Sequence, residues 1–95
     1  MFIINLTYQV SLETVDRFLE EHICYLEEQY KTGNFMASGR KEPRTGGIIL
    51  AKGENRKDVE QMIEKDPFKK HGVAHYEIIE FTPSKTSEEL TFLLN

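Results

Sequence analysis

The chain has 95 residues, 39% of them hydrophobic, with 16 acidic against 12 basic side chains and a formal charge of −4. That supplies apolar material for one core and one domain over residues 1–95, and no basic footprint for nucleic acid or an anionic membrane surface. Cys24 is the one cysteine, which excludes a disulfide framework and cysteine-based metal spacing, fits a reducing cytoplasmic setting, and is expected to behave as a small hydrophobe.

The opening stretch MFIINLTYQV has no basic n-region, no long apolar h-region and no small-residue cleavage site. No apolar run in the chain approaches about 18 residues, so neither an export signal nor a membrane span is expected. Phe2, Ile4, Leu6 and Tyr8 fall on one side at period two, with Ile3, Asn5 and Thr7 on the other, as in a half-buried strand. Ser11 is a suitable N-cap, Glu13 and Asp16 sit in a first turn, and Gly33 suits the position after a helix end. The spacing predicts a helix over 12–31. Its inward stripe reads Leu12, Val15, Leu19, His22, Leu26 and Tyr30, widened by Phe18 and Ile23. The opposite side, with Glu20, Glu21, Glu27, Glu28 and Lys31, reads as a solvated face.

Phe35 to Gly39 and Ile48 to Lys52 are strand-like and flank the turn-rich segment 41–47, a β-hairpin pattern. Asn55 is an N-cap for a second helix over 56–65, whose face carries Val59, Met62, Ile63 and Asp66, and Pro67 is expected to stop it. Val73 to Phe81 alternates as a fourth strand ending before Pro83, and Ser87 to Leu94 has room for one or two helical turns. The order strand, helix, strand, strand, helix, strand predicts an α+β fold, βαββαβ, with a four-stranded antiparallel sheet and both helices on one face. The strands carry apolar residues on both sides, Ile3 beside Ile4 and Ile48 beside Ile49. A homodimer laying one sheet on another would bury the second side.

Two ionisable residues stand on apolar helix faces. His22 needs a partner for each ring nitrogen, and imidazole is the side chain suited to proton transfer near neutrality; the structural alternative is a core histidine bonded to a carbonyl. Asp66 puts a carboxylate at the C-terminal end of a helix, against the dipole; the structural alternative is an Asp-Pro turn whose carboxylate caps the following amides. Helices packed side by side would bring the two into one cleft as an acid/base pair.

The ordered set His22-x-x-x-Leu26, Gly33, Ala37-Ser38-Gly39, Gly46-Gly47-Ile48-Ile49, Asp66-Pro67-Phe68, Glu77-Ile78 and Phe81 resembles the YciI-like (YCII-related) family over nearly the whole chain, from Phe2 to about Phe81. The resemblance implies a ferredoxin-like fold of the dimeric α+β barrel type. It implies a pocket containing His22 and Asp66 as catalytic residues, with Ser38, Gly39 and Phe68 binding substrate. A few relatives degrade chlorinated aromatic compounds by dehydrochlorination. Many relatives have arginine three residues before the histidine, where this chain has Leu19, and proline after the glycine, where it has Arg40; Arg17 and Arg40 are the arginines that could replace the lost cation.

Other features read more plainly. His71 and His75 are four apart but Gly72 and a strand start intervene, so no metal site is expected. Gly46-Gly47 lacks the context of a phosphate loop and reads as a hairpin turn. Tyr8 and Tyr76 read as core or interface aromatics whose hydroxyls could line the pocket. The reading is a cofactor-independent enzyme acting on a small organic ligand, cyclic or aromatic. The alternatives are a module that binds such a molecule without turnover and a structural dimerisation domain.

Overall fold

Alternation along the first strand decides where the core lies. In the computed structural model, which describes residues 1–94, Phe2, Ile4 and Leu6 of β1 (Phe2–Tyr8) are buried while Ile3 and Asn5 are half-buried and Thr7 is exposed. β1 is central and pairs antiparallel with β3 (Gly46–Ala51) on one side and β4 (Ala74–Glu80) on the other, with β2 (Phe35–Arg40) outside β3. The sheet order is β2-β3-β1-β4. Helices α1 (Leu12–Lys31) and α2 (Arg56–Glu64) cover one side: Val15, Val59 and Ile63 join Phe2, Ile4, Leu6, Ile49 and Ala51 in a single core. The architecture is the expected α+β, ferredoxin-like βαββαβ arrangement.

The caps follow the local chemistry. Ser11 Oγ accepts from the Thr14 amide at 3.2 Å and Asn55 Oδ1 from the Asp58 amide at 3.0 Å, each satisfying a donor that a helix start leaves free. Gly33, just beyond α1, has φ 78°, a left-handed conformation that costs glycine little.

Four differences from the sequence expectations bear on the site. The inner face of α1 is rotated: Val15, His22, Tyr25 and Gln29 are buried, whereas Leu12, Ile23 and Tyr30 are 45%, 45% and 39% exposed. Tyr25 and Gln29 can go inside because their polar tips are satisfied, the Tyr25 hydroxyl donating to the Met62 carbonyl at 2.7 Å and Gln29 Oε1 accepting from Asn34 Nδ2 at 2.9 Å. Cys24, expected to behave as a small hydrophobe, is exposed on that helix.

Secondly, Gly46 and Gly47 belong to β3 rather than to the turn. A Cβ at Gly46 would lie 1.8 Å from the Leu6 carbonyl oxygen, so only glycine lets the two backbones pair there. Thirdly, Pro67 does not simply end α2: it opens a one-turn helix, α3 (Pro67–Lys70), with Asp66 as N-cap. Proline suits that position because its missing N–H is not needed there. Fourthly, β2 carries a bulge between Phe35 and Ala37, so that Ala37 pairs with Leu50 and Ser38 with Ile49. The extra residue turns Ser38 and Arg40 to the helix-covered side, where uninterrupted alternation from Phe35 would have put Ala37 and Gly39.

Among the described residues no helix packs on the other side of the sheet. Ile3, Ile48 and Leu50 are half-buried there and Ile79 is 46% exposed. The tail ends in a 3₁₀ segment, Glu88–Leu94, kinked at Leu90, with Leu90, Phe92 and Leu94 exposed. No helix is long and apolar enough to cross a membrane among the described residues.

Candidate active site

His22 comes from the middle of α1 and Asp66 from the corner between α2 and α3. His22 is 8% and Asp66 0% exposed, and His22 Nδ1 lies 2.8 Å from Asp66 Oδ1. The convergence expected from the two helix faces is realised as a direct hydrogen bond. The capping reading of Asp66 holds beside this bond, since Oδ1 also accepts from the Phe68 amide at 2.9 Å, the N-cap bond of α3. Because Asp66 caps a helix start, its charge sits where the dipole favours it, which corrects the expectation of an unfavourable position.

Oδ2 accepts from the Tyr76 hydroxyl at 2.5 Å. Burial, and then the Asp66 charge, push the Tyr76 phenol well above its ordinary value, and the same two causes in the same order raise Tyr25. Tyr76 therefore stays a neutral donor. With the Phe68 amide donating to one oxygen and the Tyr76 hydroxyl to the other, the Asp66 carboxylate is an acceptor on both oxygens, so the bond to His22 is donated by Nδ1–H. Nε2 is left as the imidazole nitrogen without a protein partner among the described residues. The ring is held flat against Phe68, centroids 3.9 Å apart and planes 3° from parallel, so its orientation is fixed by packing as well as by Asp66.

His22 and Phe68 form part of the wall of a cavity of about 160 Å³ between α1 and the ends of β1, β2 and β3. Leu19, Ile23 and Leu26 from α1 close one side, and Tyr8, Ile48 and Ile49 contribute from the sheet. Ser38, Gly39 and Arg40 from β2 and Gly47 from β3 complete it. Gly47 faces the helices beside Leu6, and its missing side chain leaves part of the space open. The volume is close to that of an engineered apolar cavity of about 150 Å³ that takes up benzene, so one six-membered ring is the scale of guest that fits.

The structure thus brings His22, Ser38, Gly39 and Phe68 to one cavity, with Asp66 behind His22 rather than on the wall. Ser38 Oγ is 2.6 Å from the Tyr30 hydroxyl of α1, which ties β2 to the helix at the cavity rim. Tyr8 lines the cavity, whereas Tyr76 stands behind it on Asp66. Of the two arginines named as replacements at Leu19, Arg40 is on the wall and Arg17 is exposed on α1 away from it. The inward stripe read from the sequence included Leu19, Ile23 and Leu26; their offset of about a quarter turn from Val15, His22 and Tyr25 is the signal that separates wall from core.

The family model for the YCII-related domain matches residues 1–82. Among solved structures, the chain is similar to 5-chloro-2-hydroxyhydroquinone dehydrochlorinase (TftG) from Burkholderia phenoliruptrix AC1100 in complex with 2,5-dihydroxybenzoquinone, at a TM-score of 0.71 and 19% identity, covering 85% of this chain and 93% of that one. At that identity the likeness is one of fold. None of the curated proteins compared with the chain matches it.

Proposed function

The chain belongs to the family of YCII-related domains, and from that premise we propose that it is a cofactor-independent proton-transfer enzyme acting on a small ring compound, with His22 as general base and then acid and Asp66 as the residue that positions it. The observation that carries this reading is the 2.8 Å bond from His22 Nδ1 to a carboxylate with no exposed surface, on an imidazole that forms part of the wall of a ring-sized cavity and whose other nitrogen has no protein partner among the described residues. A base so held needs no reorganisation when a substrate arrives, and Asp66 stabilises the imidazolium that forms. Ser38 and the Gly39 backbone are polar contacts for the guest, and Phe68 is an apolar contact under it.

The reaction such a pair supports is an isomerisation or elimination. Nε2 takes a proton from the ring substrate, the released electron pair moves into the ring system, and either the proton returns at another atom or a leaving group departs with its own pair. Loss of chloride from a hydroxylated ring, the chemistry named for the structural neighbour, is one instance: a proton and a chloride leave, and the ring keeps the balance of electrons. The domain over residues 1–95 is proposed to work as a homodimer in the cytoplasm.

The test is chloride release from chlorinated hydroquinones by the wild type and by His22→Gln and Asp66→Asn. Removal of a general base lowers turnover by about 10²–10⁴-fold, so both variants are expected to lose at least two orders of magnitude in kcat while still binding the ring. The imidazole ¹⁵N shifts should also report an Nδ1–H tautomer in the wild type. Variants that turn over as fast as the wild type, or an Nε2–H tautomer, would remove the acid/base role; binding without turnover in the wild type would favour a ligand-holding module.

A further inference from the structure

Among the described residues no aspartate or glutamate lines the cavity, and Arg40 is the one permanently charged residue that does. Its presence there depends on the β2 bulge, which puts residue 40 opposite Gly47 on the helix-covered side. Gly47 supplies no side chain across from it, so nothing on β3 covers the guanidinium stem. The other cations of the hairpin are occupied elsewhere: Arg44 Nη2 donates to Asp16 at 2.6 Å and Lys41 Nζ to the Thr7 hydroxyl at 3.2 Å. Arg40 has a looser engagement, one Nε contact to Glu42 at 3.2 Å with both side chains largely solvent-exposed. An exposed pair of this kind holds its members weakly, and its terminal guanidinium nitrogens stay free to donate.

An apolar ring alone would draw nothing from such a residue. A ring bearing an anion would lose hydration on entering the apolar space and needs a donor to replace it, and a guanidinium matches a carboxylate with two parallel bonds. We propose that Arg40 makes the cavity selective for single-ring carboxylates, holding the carboxylate at the β2 rim with the ring lying toward His22 and Phe68. This rests on the cavity described above and deepens the reading of its substrate; it does not require His22 to transfer a proton.

The probes are benzoate and its neutral isostere benzamide, with binding followed by the amide resonances of Gly39 and Gly47 and the Nε resonance of Arg40. Benzoate is expected to bind about tenfold tighter than benzamide, the increment of one charge-assisted contact. Arg40→Gln should bring benzoate down to the level of benzamide and leave benzamide unchanged. Glu42→Gln, which frees the guanidinium without touching the cavity, should tighten benzoate by about two- to threefold. Equal binding of the two probes to the wild type, or an unaltered ratio in Arg40→Gln, overturns the proposal while leaving the acid/base reading standing. Retained selectivity in a His22→Gln variant that has lost turnover supports it separately from that reading. Absence of binding by either probe overturns this proposal together with the use of the cavity for rings.

Discussion

Asp66 has no exposed surface, so each hydrogen bond it accepts offsets part of the cost of taking a carboxylate out of water. Tyr76 supplies one of the three, and its own phenol is held up by burial and by the Asp66 charge, as Tyr25 is. A tyrosine in the unfolded chain ionises near pH 10, whereas these two resist ionisation in the fold. With the folded value raised, the stability they contribute is complete below about pH 10 and is lost as the pH climbs beyond it, at about 1.4 kcal/mol per pH unit for each. Tyr76→Phe is therefore expected to lower stability at neutral pH by about 1–3 kcal/mol, because a buried acceptor loses its donor, and to remove one tyrosine's share of the alkaline slope. Urea midpoints between pH 8 and 11 check both; an alkaline slope as steep in the variant as in the wild type would refute the assignment. At this scale His22 and Asp66 were legible because each interrupts an apolar face. The part of Tyr76 was not legible, since alternation along β4 says that its ring faces inward and nothing about which acceptor its hydroxyl reaches.

Element existence was read correctly for all four strands and both long helices because their periods are clean, and the errors gather where one residue changes the phase. Tyr25 and Gln29 rotate the buried face of α1 through hydrogen bonds to partners distant in the fold or across a turn, which an apolar stripe does not display. Met36 does more, as the residue added at the β2 bulge, and no composition signal marks it. Since side chains alternate at period two, one residue more or less exchanges the two faces of a strand. Phe35 is anchored in the core against the rings of Tyr25 and Tyr30, and the far end of β2 is held by the pairing of Arg40 with Gly47. Deletion of Met36 is expected to keep the fold and to restore regular alternation, with Phe35 still opposite Ala51 and Ala37 opposite Leu50, so that Ser38 stays on the helix-covered side and keeps its 2.6 Å contact with Tyr30. Retention of the nuclear Overhauser contacts between the Tyr30 ring and Ser38 is the expected result; their loss, with new ones from the ring to Ala37 or Gly39, would show that Met36 is not the extra residue that sets the facing of β2.

For the whole molecule, the problem of the second sheet face is legible in the sequence itself, through Ile3 beside Ile4 and Ile48 beside Ile49. The pairing register sharpens it into a row that crosses all four strands, Ala37, Leu50, Ile3 and Ile79, each opposite the next. In the adjoining row Asn5 Nδ2 donates to Glu77 at 3.2 Å while Asn5 Oδ1 is buried without a partner, which is unusual in a finished interior. Four strands about 4.8 Å apart and about 20 Å long present a face of about 400 Å², and the row Ala37, Leu50, Ile3 and Ile79 is a contiguous apolar strip across it, the kind of surface that marks an association site. A two-fold axis through such a face would lay the row against its own copy and satisfy the proposed homodimer with one surface. The wild type is accordingly expected to sediment as a dimer at micromolar concentration. Ile3→Glu puts a charge at the middle of the row, and because Ile3 is half-buried in the single chain, the variant should fold with an unchanged far-ultraviolet circular dichroism spectrum and sediment as a monomer. A wild type that is monomeric, or a variant that still dimerises, would place the association surface elsewhere and leave the row Ala37–Leu50–Ile3–Ile79 as exposed sheet.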